Sequence, residues 1–287
     1  MALIEAGDIV GRKSYNRDLY FKVCELYNDP DGRPMAKLYG LDVRLCADAP
    51  VEDLEKISSE KVAEHWRKVM MKSGELIKRS FARRDQDQAS IHSRNSEEIK
   101  TFNLPGRVLH MDGDPDYLDL CVATYKQLGV TCHAYHIAEK KQPGEVGQLL
   151  QKHNPDILVA TGHDSFLKGK KNFKSLDNYR NSCYFVETVQ AARRFEKSRD
   201  DLVIFAGACQ SHYEAILEAG ANFASSPERV LIHAFDPVFV VERVAYTPVH
   251  LPVELRETIE ATITGYPGIG GVDTPGKFRL GAPKSAY

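Results

Sequence analysis

The spacing of apolar residues along this 287-residue chain changes twice and divides it into three stretches. In residues 1–56, short runs alternate apolar and polar positions: Gly7-Asp8-Ile9-Val10, then 20–26, 35–39 and 42–46. Asn28-Asp29-Pro30-Asp31-Gly32 supplies turn chemistry between them, and Ala47-Asp48-Ala49-Pro50 closes the last run. A period of two broken by Gly, Pro, Asn and Asp predicts strands, and four or five so close together predict a small SH3-like β-barrel. From 57 to 103 the pattern turns polar. Residues 62–77 fit one helix carrying the only tryptophan, Trp66, and residues 78–88 hold many charges with little to bury. That composition predicts a charged helical or mobile linker.

From residue 104 to 287 apolar runs and helical periods alternate. Strands are expected at 107–112, 130–137, 156–162, 202–207 and 222–225. Helices are expected at 115–127, about 144–153, about 178–197 and from Ser211 to near Gly220. The third strand is apolar enough to be buried on both faces. Strands alternating with helices predict an α/β domain with a doubly wound, mostly parallel sheet and right-handed crossovers.

Charge and composition narrow the function. With 38 Lys plus Arg against 40 Asp plus Glu the net charge is −2, which gives no electrostatic reason to expect nucleic acid as the main partner. No run of 18 uncharged apolar residues occurs and the first residues do not read as a signal peptide, so neither a membrane span nor secretion by that route is expected. Six scattered cysteines without a Cys-x-x-Cys pair predict reduced thiols and no structural metal.

In an open parallel sheet, ligands bind beyond the carboxyl ends of the strands. Those ends read Asp112-Gly113-Asp114, Thr161-Gly162-His163-Asp164 and Gly207-Ala208-Cys209-Gln210-Ser211-His212. Neighbouring strands ~4.8 Å apart would bring His163 and Cys209 together. Cys209 precedes an expected helix, whose dipole, with an imidazole nearby, favours a thiolate. The amides of Cys209 and Asp164 are candidate oxyanion donors. A thiol, an imidazole and amide donors are the parts of an acyl-transfer site. Taken singly, a cysteine after an apolar strand is ordinarily a small buried hydrophobe; the joint placement is what singles this one out. Cys24, Cys46, Cys121, Cys132 and Cys183 are assigned to packing. The histidine stands 209 − 163 = 46 residues upstream of an Ala-Cys pair, the chain order of caspase-type peptidases.

Longer runs resemble the YabG family of sporulation-specific peptidases of spore-forming Firmicutes. They are Gly7-Asp8-Ile9-Val10 with Arg12-Lys13-Ser14-Tyr15, Thr161-Gly162-His163-Asp164, and Phe205-Ala206-Gly207-Ala208-Cys209-Gln210-Ser211-His212. Gly220-Ala221-Asn222-Phe223-Ala224-Ser225-Ser226-Pro227 and Ile232-His233-Ala234 with Asp236-Pro237-Val238 extend the likeness over the whole chain. The resemblance implies a cysteine peptidase of the sporulating mother cell or spore coat. Its protein substrates would be coat, cortex or germination proteins, cut after basic residues and chiefly after arginine. No cofactor is implied, although some arginine-specific relatives are activated by calcium. One departure is Asp164, where caspase-like enzymes usually carry Gly after the catalytic histidine; this side chain crowds the site or steers a substrate charge.

Arginine preference calls for a carboxylate in the substrate pocket. Asp112 and Asp114 are the first candidates, with Asp164 and Asp236 as competitors, though Asp-Gly-Asp-Pro also reads as a plain turn and helix start. Ser225 and Ser226 are expected to line the substrate groove. An arginine-specific peptidase would find self-cleavage sites in its own linker at Arg79, Arg83, Arg84 and Arg94. Three other readings remain: an amidase using Cys209, His233 and Asp236, a receiver-like domain using Asp112 and Asp114 with magnesium, and a non-catalytic scaffold.

Overall fold

In the computed structural model, which describes residues 3–92 and 100–285, the amino-terminal strands form one antiparallel sheet. It contains β1 (Ile9–Arg12), β2 (Tyr20–Asn28), β3 (Pro34–Gly40), β4 (Cys46–Pro50) and β5 (Leu54–Lys56), in the order β4-β3-β2-β1-β5. Alternate positions turn inward, so Val10, Phe21, Val23, Ala36, Leu38, Ala49 and Leu54 share one buried cluster. Of the strand expected at 42–46, only Cys46 belongs to this sheet. β4 begins only at Cys46, and residues 41–45 leave the sheet as its connection from β3. Their alternating pattern is a genuine pairing signal, but the partner lies elsewhere: Val43 bridges His233 antiparallel and Leu45 bridges Asp164 in parallel.

Up to His92 the polar stretch takes the helical form of the two expected. It is a single 34-residue helix, α1 (Ser59–His92). A few positions anchor it: Val69 packs with Phe235 and Phe239, and partly buried Trp66, Leu76 and Ile77 flank them. Arg84 is buried, donating to Glu242 Oε1 (2.6 Å) and to the carbonyl of Leu128 (2.8 Å), with its guanidinium 3.3 Å from the Tyr246 ring centroid. Arg83 donates to the same carboxylate at 2.8 Å. Two of the expected self-cleavage arginines are therefore docked in regular helix, and the exposed Arg79 lies on that helix too. Arg94 falls outside the described residues.

The second sheet has the order β12-β11-β10-β9-β7-β8. β7 (Val108–Asp112), β8 (Cys132–His136), β9 (Ile157–Thr161), β10 (Val203–Ala206) and β11 (Phe223–Ser225) run parallel, and β12 (Ile269–Gly271) is antiparallel to β11. β6 (Phe102–Leu104) and β13 (Arg279–Gly281) form a separate two-stranded pair. Period-two alternation splits β9 between two cores. Ile157 and Val159 join Val203, Phe205 and Val241 on one face, while Leu158 and Ala160 join Leu150, Phe185 and Ile204 on the other. α2 (Pro115–Gln127), α3 (Gln142–His153), α4 (Ser182–Phe195) and α5 (Tyr213–Glu218) follow the parallel strands. α2 starts where Asp114 accepts from the Tyr117 N–H (2.9 Å) and Pro115 occupies the first helical position. α6 (Asp236–Tyr246) is buried from Asp236 through Ala245, and α7 (Leu255–Glu260) packs beside it. No helix among the described residues is long and apolar enough to cross a membrane.

Because Arg84 joins α1 to α6 through a buried carboxylate, Arg84→Ala is expected to lower unfolding stability by about 2–4 kcal/mol. The exposed Arg79→Ala should stay within about 0.5 kcal/mol of wild type. Urea denaturation of the two variants checks this, and equal midpoints would contradict the docking.

Candidate active site

Parallel pairing of β9 with β10 sets Ala160 opposite Ala206. His163 and Cys209 each lie three residues beyond that pair, so the two loops leave the sheet edge at the same level. Gly207, at φ +114°, makes the turn out of β10 in a region that side chains disfavour. The helix expected from Ser211 starts only at Tyr213 and is six residues long, so Cys209 lies four residues before it and not at its first turn. Instead, Cys209 Sγ accepts from the Ile232 N–H at 3.0 Å. The thiol is fully buried, and burial pushes its pKa well above the ordinary value.

Arg44, from the β3–β4 connection, lies against these loop ends. Its carbonyl oxygen accepts from the N–H of Cys209 (3.2 Å) and the N–H of Asp164 (3.4 Å). Its own N–H donates to Ile232 O (2.9 Å), while the Ala234 N–H donates to Asp42 O (2.8 Å). The Arg44 side chain has no exposure to solvent. Nη1 donates to Asp112 Oδ2 (2.6 Å), Nη2 donates to Ala234 O (3.0 Å), and the guanidinium lies 5.1 Å from the Tyr117 ring centroid. Asp112 also accepts from Thr161 Oγ1 (2.8 Å). Burial, the largest single influence, would raise the Asp112 pKa, but Arg44, His110 and the Asp114 N–H together outweigh it and hold the carboxyl well below its usual range.

His163 is almost fully buried, its ring stacked on Tyr39 with centroids 3.7 Å apart. Nε2 lies 3.3 Å from Asp114 Oδ2 and Nδ1 lies 3.7 Å from Glu139 Oε1. Both are ion-pair approaches without hydrogen-bond geometry, so neither ring nitrogen has a hydrogen-bond partner among the described residues. Glu139 is firmly placed, because its Oε1 accepts from the His163 N–H at 2.7 Å. A Cβ on Gly113 or on Gly162 would collide with this carboxylate, so both glycines are needed for its approach.

The side chain of Asp164 ties the loops together. It accepts from the N–H groups of Ser165 and Asn181 (2.8 Å each), from Ser182 Oγ, and from Ser211 Oγ (2.9 Å). Burial pushes its pKa up to about 6, against these hydrogen bonds, which lower it. Ser225 and Ser226 are buried, and the Ser226 hydroxyl accepts from Gln210 N–H (3.1 Å) and donates to Val230 O (2.8 Å). Ser226 thus steadies the turn after Cys209. His233 Nδ1 accepts from Phe235 N–H (3.2 Å), and Asp236 accepts from Thr264 Oγ1, Ile263 N–H and His233 N–H. These bonds tie His233 into its own turn and Asp236 both to that turn and to residues 263–264.

The profile of the family described as YabG peptidase U57 matches residues 5–283. The chain is also 41% identical over 283 residues to the sporulation-specific protease YabG of Bacillus subtilis (strain 168), covering 97% of this chain and 98% of that protein. The chain belongs to the YabG peptidase family. Within this YabG-family chain, the backbone N–H groups of Asp164 and Cys209 meet at one peptide carbonyl, that of Arg44, and His163 precedes Asp164 in the same loop. Arg44, Tyr39, Tyr117 and Glu139 were not singled out by sequence reasoning. The glycine just before His163 and the glycine between Asp112 and Asp114 were the available hint of the tightly packed carboxylate.

The sign of the Asp164 shift predicts a pH effect. Its folded pKa, about 6, lies above its ordinary 3.8, so its stabilising contribution is complete below 3.8 and is lost as pH rises to about 6. Asp164→Asn, which does not titrate, should remove this portion of the stability profile. Unfolding midpoints measured across that window should differ in slope between variant and wild type; parallel profiles would contradict the assignment.

Proposed function

We propose that this peptidase is a cysteine endopeptidase that cuts after arginine, with Cys209 as nucleophile, His163 as proton carrier and the amides of Cys209 and Asp164 as oxyanion donors. The observation that carries the reading is the Arg44 carbonyl, bonded by those two amides while its side chain ends on buried Asp112. A substrate carbonyl in the same place would face donors already fixed by the loop geometry, so charge developing on its oxygen is stabilised without reorganisation. Cys209 attacks the carbonyl carbon. His163 accepts the thiol proton and returns it to the leaving amine, and water then hydrolyses the thioester. The carboxylates of Asp114 and Glu139 lie beside the ring. Asp112 supplies the charge that selects arginine, whereas Asp114 serves α2 and His163.

The architecture agrees with this chemistry. A parallel sheet closed by one antiparallel edge strand beyond β11, with histidine before cysteine, supports a caspase-like domain over 104–287. The order β4-β3-β2-β1-β5, with a 3₁₀ turn at Val51–Asp53 between β4 and β5, supports an SH3-like module over 1–56. α1 and the residues to 103 join the two. The Bacillus subtilis relative is a sporulation-specific protease, which supports proteins of the spore coat, cortex or germination apparatus as substrates and the mother cell or coat as the place of action.

Cys209→Ala and His163→Ala should each abolish hydrolysis of a peptide with arginine before the scissile bond. Asp112→Asn should lower kcat/KM for that peptide by about 100-fold or more while the thiol still reacts with a small alkylating agent. A positional-scanning library run on wild type and Cys209→Ala tests nucleophile and preference together. Full activity of Cys209→Ala, or no preference for arginine, would overturn the reading.

A further inference from the structure

The proposed catalytic groups are closed to outside substrates. Cys209 has no exposure and His163 has 1%, so no external peptide reaches them in this conformation. The peptide bond that does lie there is this chain's own. Residues 42–44 pair antiparallel with 232–234 through Arg44 N–H to Ile232 O and Ala234 N–H to Asp42 O. Leu45, on the other side of the Arg44 carbonyl, bridges Asp164, and the Cys46 N–H reaches Asp164 O at 3.4 Å. Edge pairing on one side, a carbonyl between two amides and an arginine side chain on a buried carboxylate are the contacts of a bound substrate. A bent connection also presents the bond: Leu45 N–H donates back to Val43 O (2.7 Å), turning the chain at Arg44.

We propose that residues 42–45 are a substrate held in cis and that the Arg44–Leu45 bond is a self-cleavage site whose cutting opens the cleft. The inference rests on the proposed cysteine-peptidase chemistry. Cys209 Sγ, having given its proton to His163, bonds to the Arg44 carbonyl carbon. Collapse of the adduct breaks the Arg44–Leu45 C–N bond, and the Leu45 nitrogen takes the proton from His163 to leave as a free amine. The thioester between Arg44 and Cys209 then takes up water, releasing the Arg44 carboxylate and restoring the thiol. The cut falls between β3 and β4, so β4 and β5 stay on the catalytic chain while β1, β2 and β3 remain by sheet pairing and side-chain contacts, with no covalent link. Arg79, Arg83 and Arg84, in contrast, sit in a helix whose backbone groups bond within the helix and offer no extended strand to a cleft.

Wild type, Cys209→Ala and Leu45→Pro chains are purified, incubated, and their termini mapped by mass spectrometry, with arginyl-peptide hydrolysis followed in parallel. Wild type should yield a fragment beginning at Leu45 as peptide hydrolysis appears, whereas Cys209→Ala should stay intact. Leu45→Pro, which keeps the Arg44 side chain but replaces the leaving amine, should stay uncut and hydrolyse the peptide at least ~10-fold more slowly than the cut enzyme. The comparison of wild type with Cys209→Ala stands whether or not Leu45→Pro folds. Cys209-dependent peptide hydrolysis by a wild-type chain left uncut at Arg44–Leu45, or cut only elsewhere, would overturn this inference and leave the peptidase reading standing. Hydrolysis and cutting that both persist in Cys209→Ala would overturn that reading and this inference with it.

Discussion

A buried ion pair between Arg44 and Asp112 holds the two halves of the molecule in their present relation. Neither side chain reaches solvent. Removing two charges from water is costly, and their mutual attraction offsets that cost only with good geometry and further hydrogen bonds. Here the guanidinium also has Ala234 O and the Tyr117 ring, and the carboxylate also has Thr161 Oγ1. Losing one partner of such a pair leaves the other uncompensated, a penalty of about 3–5 kcal/mol. So the pair fixes where the β3–β4 connection lies, and the connection in turn decides what Cys209 and His163 meet. A pair of this kind is weak as a source of net stability but strong as a source of specificity, since few other side chains fit the place.

Much of this was legible from residue pattern. The strand ends were read from where apolar runs stop, and the bounds of α2 follow from Asp114 as cap, Pro115 at its start and Gly129 just past its end. The equal offset of His163 and Cys209 from a registered pair is a consequence of parallel pairing that pattern alone can suggest. Other features were hidden for physical reasons. α6 is buried nearly all round, so no polar face marks a helical period. α1 is anchored by a few side chains on an otherwise polar surface, and local composition cannot tell a docked helix from a loose one. Residues 42–46 carry a true strand signal, but a period of two says that a segment pairs and not with what. Arg44 and Asp112 are 68 residues apart, and Glu139 reaches His163 from a turn 24 residues away in sequence. Contacts of that separation depend on the assembled fold.

The same geometry connects architecture to control. A peptidase made in a cell full of proteins must not act before its time, and a cleft filled by its own chain meets that need without a separate inhibitor. Asp164 illustrates the division of labour at the site: its backbone N–H faces the carbonyl while its side chain fastens Ser165, Asn181, Ser182 and Ser211.

The central claim is that Arg44 and its neighbours close the site until their own bond is cut. The most direct measurement is the rate at which an arginyl chloromethyl ketone alkylates Cys209 in the uncut Leu45→Pro chain and in wild type cut between Arg44 and Leu45. The uncut chain should resist while the cut chain is labelled rapidly at Cys209. Equal labelling rates in the two forms would contradict it.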